Sequence, residues 1–281
     1  MNYNFSLIMS IYNKIKTSDL IESLKSIGNQ SLKPNEVIII LDGYCNTNLI
    51  YNLRKYLNLY YKNNYKIISN KKNMGIPFSY NKAIKLTNND LVAISDADDI
   101  SYFNRFKYQV QFLLRNKKIG LVGSYVHEHD ITNDTLSIKK VPLKYSKIKF
   151  LSNFKNPINH PTVVLNKKIL FKDLIYEKCE RMEDYHLWIR AIQNNIIMFN
   201  IPIPLVKSKL DKSFFIRRSN HSILKSEFKI FNLLIKLRKK LLIPLMLIFV
   251  IKIIYHLIPF NVKPVLRKYI NLRYKKLESA G

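Results

Sequence analysis

Val37-Ile38-Ile39-Ile40-Leu41, closed by Asp42-Gly43, is the stretch that decides the fold. Five apolar residues in succession, four of them β-branched, leave no polar face. Such a strand is covered on both sides, as in a parallel sheet. Outward from it, short strands are expected at Phe5–Ile11, Tyr65–Ser69 and Leu91–Ser95. Helical patterns fill the intervals at Ser18–Ile27, Leu49–Leu59 and Ser79–Leu86; in the first, Leu20, Ile21, Leu24 and Ile27 share one stripe. This alternation predicts an α/β domain with a doubly wound, largely parallel sheet. Ligands of such sheets gather beyond the carboxyl ends of the strands, where Tyr12, Asp42, Asn70 and Asp96 fall. Further on, a helix is expected over Tyr102–Leu114 and a strand over Gly120–Tyr125. The stretch 126–158 reads as irregular and polar. His160-Pro161-Thr162 leads into a strand at Val163–Leu165, and Glu183–Gln193 reads as an amphipathic helix opened by two acids.

Asp96-Ala97-Asp98-Asp99 follows the fourth strand directly. Each pair of like charges costs on the order of 1 kcal/mol at ~4 Å even in water. Two readings are open: a carboxylate cluster that grips Mg²⁺ or Mn²⁺ carrying a phosphorylated substrate, or a solvated acidic turn.

The chain of 281 residues has room for one substantial core and an appendage. Its 47 Lys and Arg against 19 Asp and Glu give a formal charge of +28. That excess suits nucleic acid, an anionic membrane or phosphorylated ligands. Abundant Lys, Asn, Ile and Tyr with only five Ala also suit an A+T-rich genome. Two cysteines, Cys45 and Cys179, form no disulfide framework or zinc spacing, and a reducing compartment is expected. The first residues do not read as a secretory signal.

Taken in order, several segments resemble family 2 glycosyltransferases, enzymes of the GT-A fold. They are Ser6 to Asn13, Gln30-Ser31-Leu32-Lys33-Pro34, Val37 to Gly43, Asn73-Met74-Gly75, the Asp-Ala-Asp-Asp block, His160-Pro161-Thr162 and Glu183-Asp184. The resemblance covers about residues 5–220 and lies nearest bacterial transferases of capsule and lipopolysaccharide assembly. It implies a GT-A catalytic domain over 1–222, with a Rossmann-like, nucleotide-sugar-binding sheet, and a basic, apolar helical tail over 223–281.

The resemblance also implies roles. Tyr12 and Asp42 match positions that hold the base of a nucleotide-sugar donor, and Asn73 belongs to the nucleotide-sugar-binding set. Asp96 matches a contact to ribose or metal, Asp98 the carboxylate that ligates Mn²⁺ or Mg²⁺, and Asp99 a support for that ligand. Arg105 either braces this loop or approaches phosphate. Asp184 is the expected catalytic base, with Glu183 beside it, though the two roles are exchangeable and acids at a helix start also favour the helix dipole. His160 is a contact to substrate or metal, or else structural. Trp188 is a platform for the acceptor, or else core. Arg217, Arg218 and His221 lie where family members carry a basic segment near the donor phosphates, or form a solvated charge run. The expected reaction is inverting, metal-dependent transfer of a sugar from a nucleoside-diphosphate sugar to a glycan acceptor, lipid-linked in the favoured reading. Asp42-Gly43-Tyr44 in place of Asp-Gly-Ser, Ile76-Pro77-Phe78 after Gly75, and Phe103 in place of Pro depart from the family pattern. They bear on the base and sugar rather than on the metal site.

Nucleotidyl transfer needs a Gly/Arg/Lys-rich signature that Ser10-Ile11-Tyr12-Asn13 lacks. A nucleic-acid-binding role is opposed by the acidic cluster in the expected cleft. Of the charge, 18 Lys/Arg against 3 Asp/Glu fall within 207–281. The apolar run Leu241–Ile251 contains Pro244, which is expected to kink it, and Lys252 and His256 interrupt the continuation to Phe260. Basic residues on both flanks predict an in-plane or re-entrant segment on an anionic membrane, at the cytoplasmic face of the inner membrane. A crossing helix and a helix packed on protein are the alternatives.

Overall fold

The computed structural model describes residues 3–172, 174–210, 222–238 and 241–258. Its first compact unit comprises residues 1–178 and 182–210; the second comprises 179–181 and 211–281.

In the first unit, the strands β1 (Ser6–Ile11), β2 (Glu36–Asp42), β3 (Tyr65–Asn70) and β4 (Leu91–Ile94) pair in parallel in the order β3-β2-β1-β4. Every residue of β2 is buried, as its unbroken apolar run requires. Alternate side chains serve two cores. Val37, Ile39 and Leu41 meet α1 (Thr17–Gly28) and α2 (Thr47–Tyr61) in one layer. Ile38 and Ile40 face the layer that holds α3 (Ile76–Leu86).

The parallel half stops at β4. A short β5 (Ile100–Ser101) and α4 (Arg105–Arg115) precede β6 (Ile119–Asp130) and β7 (Thr135–Lys139). After α5 (Tyr145–Leu151) and a 3₁₀ turn at His160–Thr162 come β8 (Val164–Asn166), α6 (Lys167–Leu170), α7 (Glu183–Gln193) and β9 (Ile197–Leu210). The sheet continues β4-β8-β6-β9-β5, with β8 antiparallel to both β4 and β6, and β6 parallel to β9. This half is therefore mixed rather than parallel. The region 126–158, expected to be irregular, holds the end of β6, all of β7 and α5. Strand β9 escapes a reading by pattern because Pro202, Pro204, Lys207 and Lys209 break its alternation. The register shifts between Ser124 and Val126 of β6 absorb that irregularity around Pro204.

The second unit contributes α8 (Ser222–Leu237) and α9 (Leu242–Leu257). Pro244 stands in the first turn of α9, where no intrahelical N–H bond is required. The expected kink at Pro244 is thus corrected: it begins a helix. Among the described residues, no helix is long and apolar enough to cross a membrane.

Candidate active site

Three strand ends of the parallel half open onto one face. β2 ends in Asp42 and Gly43, whose φ of +88° reverses the chain. A Cβ at Gly43 would stand 2.8 Å from the Asn73 amide nitrogen, so glycine is required where the two loops touch. Asp42 is buried and holds the second loop directly. Its Oδ1 accepts from Asn70 Nδ2 (2.9 Å) and the Met74 amide (2.9 Å), and its Oδ2 from the Gly75 amide (2.8 Å). The carboxylate expected at the donor base is therefore engaged with the Asn73–Gly75 loop, which it fixes at the start of α3. Tyr12, half-buried, follows the end of β1.

The Asp-Ala-Asp-Asp loop is anchored from below. Arg105, buried in the first turn of α4, donates to the Ile94 carbonyl (2.5 Å), Ser101 Oγ (2.9 Å) and Gln109 Oε1 (3.3 Å). Gln109 in turn donates to the Thr162 and Val122 carbonyls, tying the loop to the 3₁₀ turn and to β6. Burial lowers the Arg105 pKa to about 10, against the opposing pull of Asp99 and Asp96. Of its two expected roles, this geometry is that of the brace; a guanidinium buried this deeply has no route to a donor phosphate. Gln30 adds a second tie, donating to the Tyr102 carbonyl (2.9 Å) and accepting from the Phe106 amide (3.3 Å).

The three carboxylates of the loop have different surroundings. Asp99 is buried, and burial with Asp96 and Asp98 nearby pushes its carboxyl well above the ordinary range, while a Ser208 hydrogen bond and Arg105 pull the other way. It supports the loop from inside. Asp96 is half-buried and its Oδ1 accepts from the Tyr80 hydroxyl at 3.0 Å. Asp98 is half-buried at the loop tip. Among the described residues, no three His, Cys, Asp or Glu side chains are grouped to hold a metal ion.

Opposite lies the start of α7. Asp184 Oδ2 accepts from Asn156 Nδ2 at 2.6 Å, and Glu183 precedes it, half-buried. Next to Asp96 stands an aromatic cluster of Tyr80, His160 and Tyr176, of which the sequence singled out His160 alone. Tyr80 stacks on His160 (5.5 Å between centroids, 21°), and the Tyr176 hydroxyl is 3.0 Å from His160 Nε2. Burial pushes the Tyr176 hydroxyl well above the tyrosine range, and Asp184, Asp96 and Glu183 add to the shift. One hydroxyl thus feels both acidic groups.

Tyr176 is clamped in place. Asn81 of α3 accepts from its amide (2.9 Å) and donates to its carbonyl (2.8 Å), while Arg190 of α7 holds its neighbours Ile175 and Glu177. Nothing in the sequence distinguishes Tyr80 or Tyr176 from the other tyrosines among 18. His160 sits inside this cluster, and Trp188 lies 6.3 Å from it. Trp188 is wholly buried, so the acceptor-platform reading is corrected to core: a stacking surface needs an exposed ring face. Arg217, Arg218 and His221 lie outside the described residues.

Nucleotide-type ligands suit strand ends of this kind. Known proteins agree with the class. The model of Glycosyl transferase family 2 matches residues 6–175. The amylovoran biosynthesis glycosyltransferase AmsE of Erwinia amylovora is 29% identical over 258 residues, covering 92% of this chain and 96% of its own. The UDP-Gal:alpha-D-GlcNAc-diphosphoundecaprenol beta-1,3-galactosyltransferase of Escherichia coli is 34% identical, covering 80% of this chain and 81% of its own. Two solved structures share the fold. Residues 1–349 of TarS from S. aureus superpose with a TM-score of 0.61 at 16% identity, over 83% of this chain and 65% of that one. The mannosyltransferase PcManGT of Pyrobaculum calidifontis, in complex with GDP-Man and Mn2+, gives 0.61 at 15%, over 81% of this chain and 64% of that one. The chain spans just under two thirds of both. The chain belongs to glycosyl transferase family 2 and is a glycosyltransferase of GT-A fold.

Proposed function

We propose that the protein transfers a sugar with inversion from a nucleoside-diphosphate sugar to a lipid-linked glycan, in surface polysaccharide assembly at the cytoplasmic face of the inner membrane. The relatives named above support the substrate classes: one is named for a polysaccharide, another for a diphosphoundecaprenol-linked acceptor. The carrying observation is the chain of contacts at the strand ends: Asp96 is bonded to Tyr80, Tyr80 stacks on His160, and His160 meets the Tyr176 hydroxyl.

Tyr12 and the Asn73–Gly75 loop, held by Asp42, receive the base of the donor. Asp96, bonded to Tyr80, faces the ribose and the cation. A divalent ion carried by a diphosphate takes one or two protein carboxylates and completes its shell with phosphate and water oxygens. That donor set fits Asp98 and Asp96 without a closed cluster of ligands. When bound, Mn²⁺ or Mg²⁺ stabilises the negative charge that grows on the departing nucleoside diphosphate.

Asp184 accepts the proton of the acceptor hydroxyl as that oxygen attacks the anomeric carbon. The bond from that carbon to the diphosphate breaks on the opposite side, so configuration inverts. Asn156 orients the Asp184 carboxylate, and Glu183 lies beside it. His160 meets the substrate from the aromatic cluster.

The test is turnover with a panel of uridine, guanosine and thymidine diphosphate sugars on a polyprenyl-diphosphate-linked sugar. Asp184→Asn should lower kcat about 10²–10⁴-fold and leave donor KM unchanged. Full turnover in that variant overturns the base; parallel loss of donor affinity moves Asp184 to binding.

A further inference from the structure

The second unit carries a surface that sugar transfer does not use. Helix α9 has two faces of different kind. On one, Phe249 stacks on Phe231 of α8 (4.3 Å between centroids, 15°) and lies 6.2 Å from Phe228. Leu245 is buried, and Lys252 donates to Glu227 Oε2 at 2.8 Å, with Glu227 itself buried. Lys252 is the one Asp, Glu, Lys or Arg within 242–257, and α8 neutralises it.

The other face carries Ile243, Met246, Leu247, Val250, Ile251 and Ile254, between 50% and 73% exposed. Their spacing of i, i+3, i+4, i+7, i+8 and i+11 confines them to an arc of about 140° on a helix of 3.6 residues per turn. Six large aliphatic side chains in one exposed stripe exceed the scattered apolar residues of an ordinary surface.

We propose that this stripe is the membrane-inserting face of the protein, seated in the plane of an anionic bilayer with α8 behind it. Length excludes a crossing by α9 alone: 16 residues rise about 24 Å, against a hydrocarbon core of about 30 Å. Charge selects the occupant. Lys225, Lys229, Lys236 and Arg238 lie along or just after α8, Lys239 and Lys240 precede α9, and Lys263, Arg267 and Lys268 follow it. An apolar stripe whose neighbouring sequence is rich in cations matches acyl chains beneath anionic headgroups. A second copy would bring the same cations against themselves. With Lys252 held by Glu227 on the opposite face, no charge has to enter the apolar layer. The inference depends on residues 222–258 and on charge, and it is tested without donor or acceptor.

The full chain should cosediment with phosphatidylcholine vesicles containing phosphatidylglycerol, and less with phosphatidylcholine alone. The double substitution Leu247→Glu and Ile251→Glu, at exposed positions, should weaken partition at least about tenfold while circular dichroism stays unchanged. Leu247→Ile with Ile251→Leu should retain it. As a second readout, a polarity-sensitive dye on Ile251→Cys should shift to the blue on adding anionic vesicles and far less on adding phosphatidylcholine alone; both native cysteines are buried. Absence of vesicle binding by the unaltered chain, undiminished binding by the Glu pair, or a dimer that dissociates in the Glu pair without any vesicle binding would each overturn the proposal.

Discussion

A single hydroxyl connects the two halves of the candidate site. Tyr176 bonds to His160, and its backbone is fixed by Asn81, so its position is set by α3 and the 3₁₀ turn together. Removing that hydroxyl leaves the fold's apolar contacts in place but frees the imidazole. Tyr176→Phe should lower kcat about tenfold, equivalent to roughly 1.4 kcal/mol, with little change in donor KM. A rate unchanged within twofold would reduce Tyr176 to packing. This residue was not legible in the sequence. Asp96, Asp98, Glu183 and Asp184 drew attention as acids at a strand end and a helix start, and their expected roles came from the family resemblance; a buried tyrosine carries no such mark. Burial also decides what charge alone leaves open: Arg105 and Trp188 are types found in active sites and in interiors alike, and here both are interior.

At the scale of elements, α4 and its polar ridge hold the acidic loop in shape. Arg105→Met removes three hydrogen bonds and leaves the Ile94 carbonyl, Ser101 Oγ and Gln109 Oε1 without that donor. Urea denaturation should show a loss of about 3 kcal/mol, as expected when hydrogen bonds from a charged donor are lost and buried acceptors are left unpaired. A loss below 1 kcal/mol would contradict the bracing role. In the same layer of the sheet, the Tyr61 hydroxyl of α2 donates to the Ile27 carbonyl of α1 at 2.7 Å. Burial, with Tyr60 beside it, pushes that phenol well above its ordinary value. A raised pKa means that its contribution is complete below the ordinary tyrosine range and is lost as pH rises through the displaced value. Tyr61→Phe should therefore cost about 1 kcal/mol at neutral pH and flatten the alkaline limb of the stability curve. An alkaline limb identical to that of the unaltered chain would count against it. Elements with a clean period were the readable ones: β2, β4 and α7 lie almost where their patterns place them. β7 and β9 were not. β7 is exposed at every residue and so has no buried alternation to read, and β9 carries two prolines inside its ladder.

For the whole molecule, the sequence supplied the parallel half of the sheet but not the mixed half. Strand order beyond β4 depends on long-range pairings among β8, β6 and β9 that leave no local mark. The order matters because it brings the 3₁₀ turn and α7 opposite the Asp-Ala-Asp-Asp loop. If that loop exists to receive a cation with a diphosphate, binding of the two must be mutual. The most direct measurement is thermal unfolding of the full chain with UDP, GDP or dTDP, with Mn²⁺ or with EDTA. One of these nucleotides at about 100 times its Kd should stabilise the protein by about 2.7 kcal/mol with Mn²⁺ and far less without it, and Asp98→Asn should abolish the difference. Equal stabilisation in EDTA, or an Asp98→Asn variant that responds like the unaltered chain, would contradict the account.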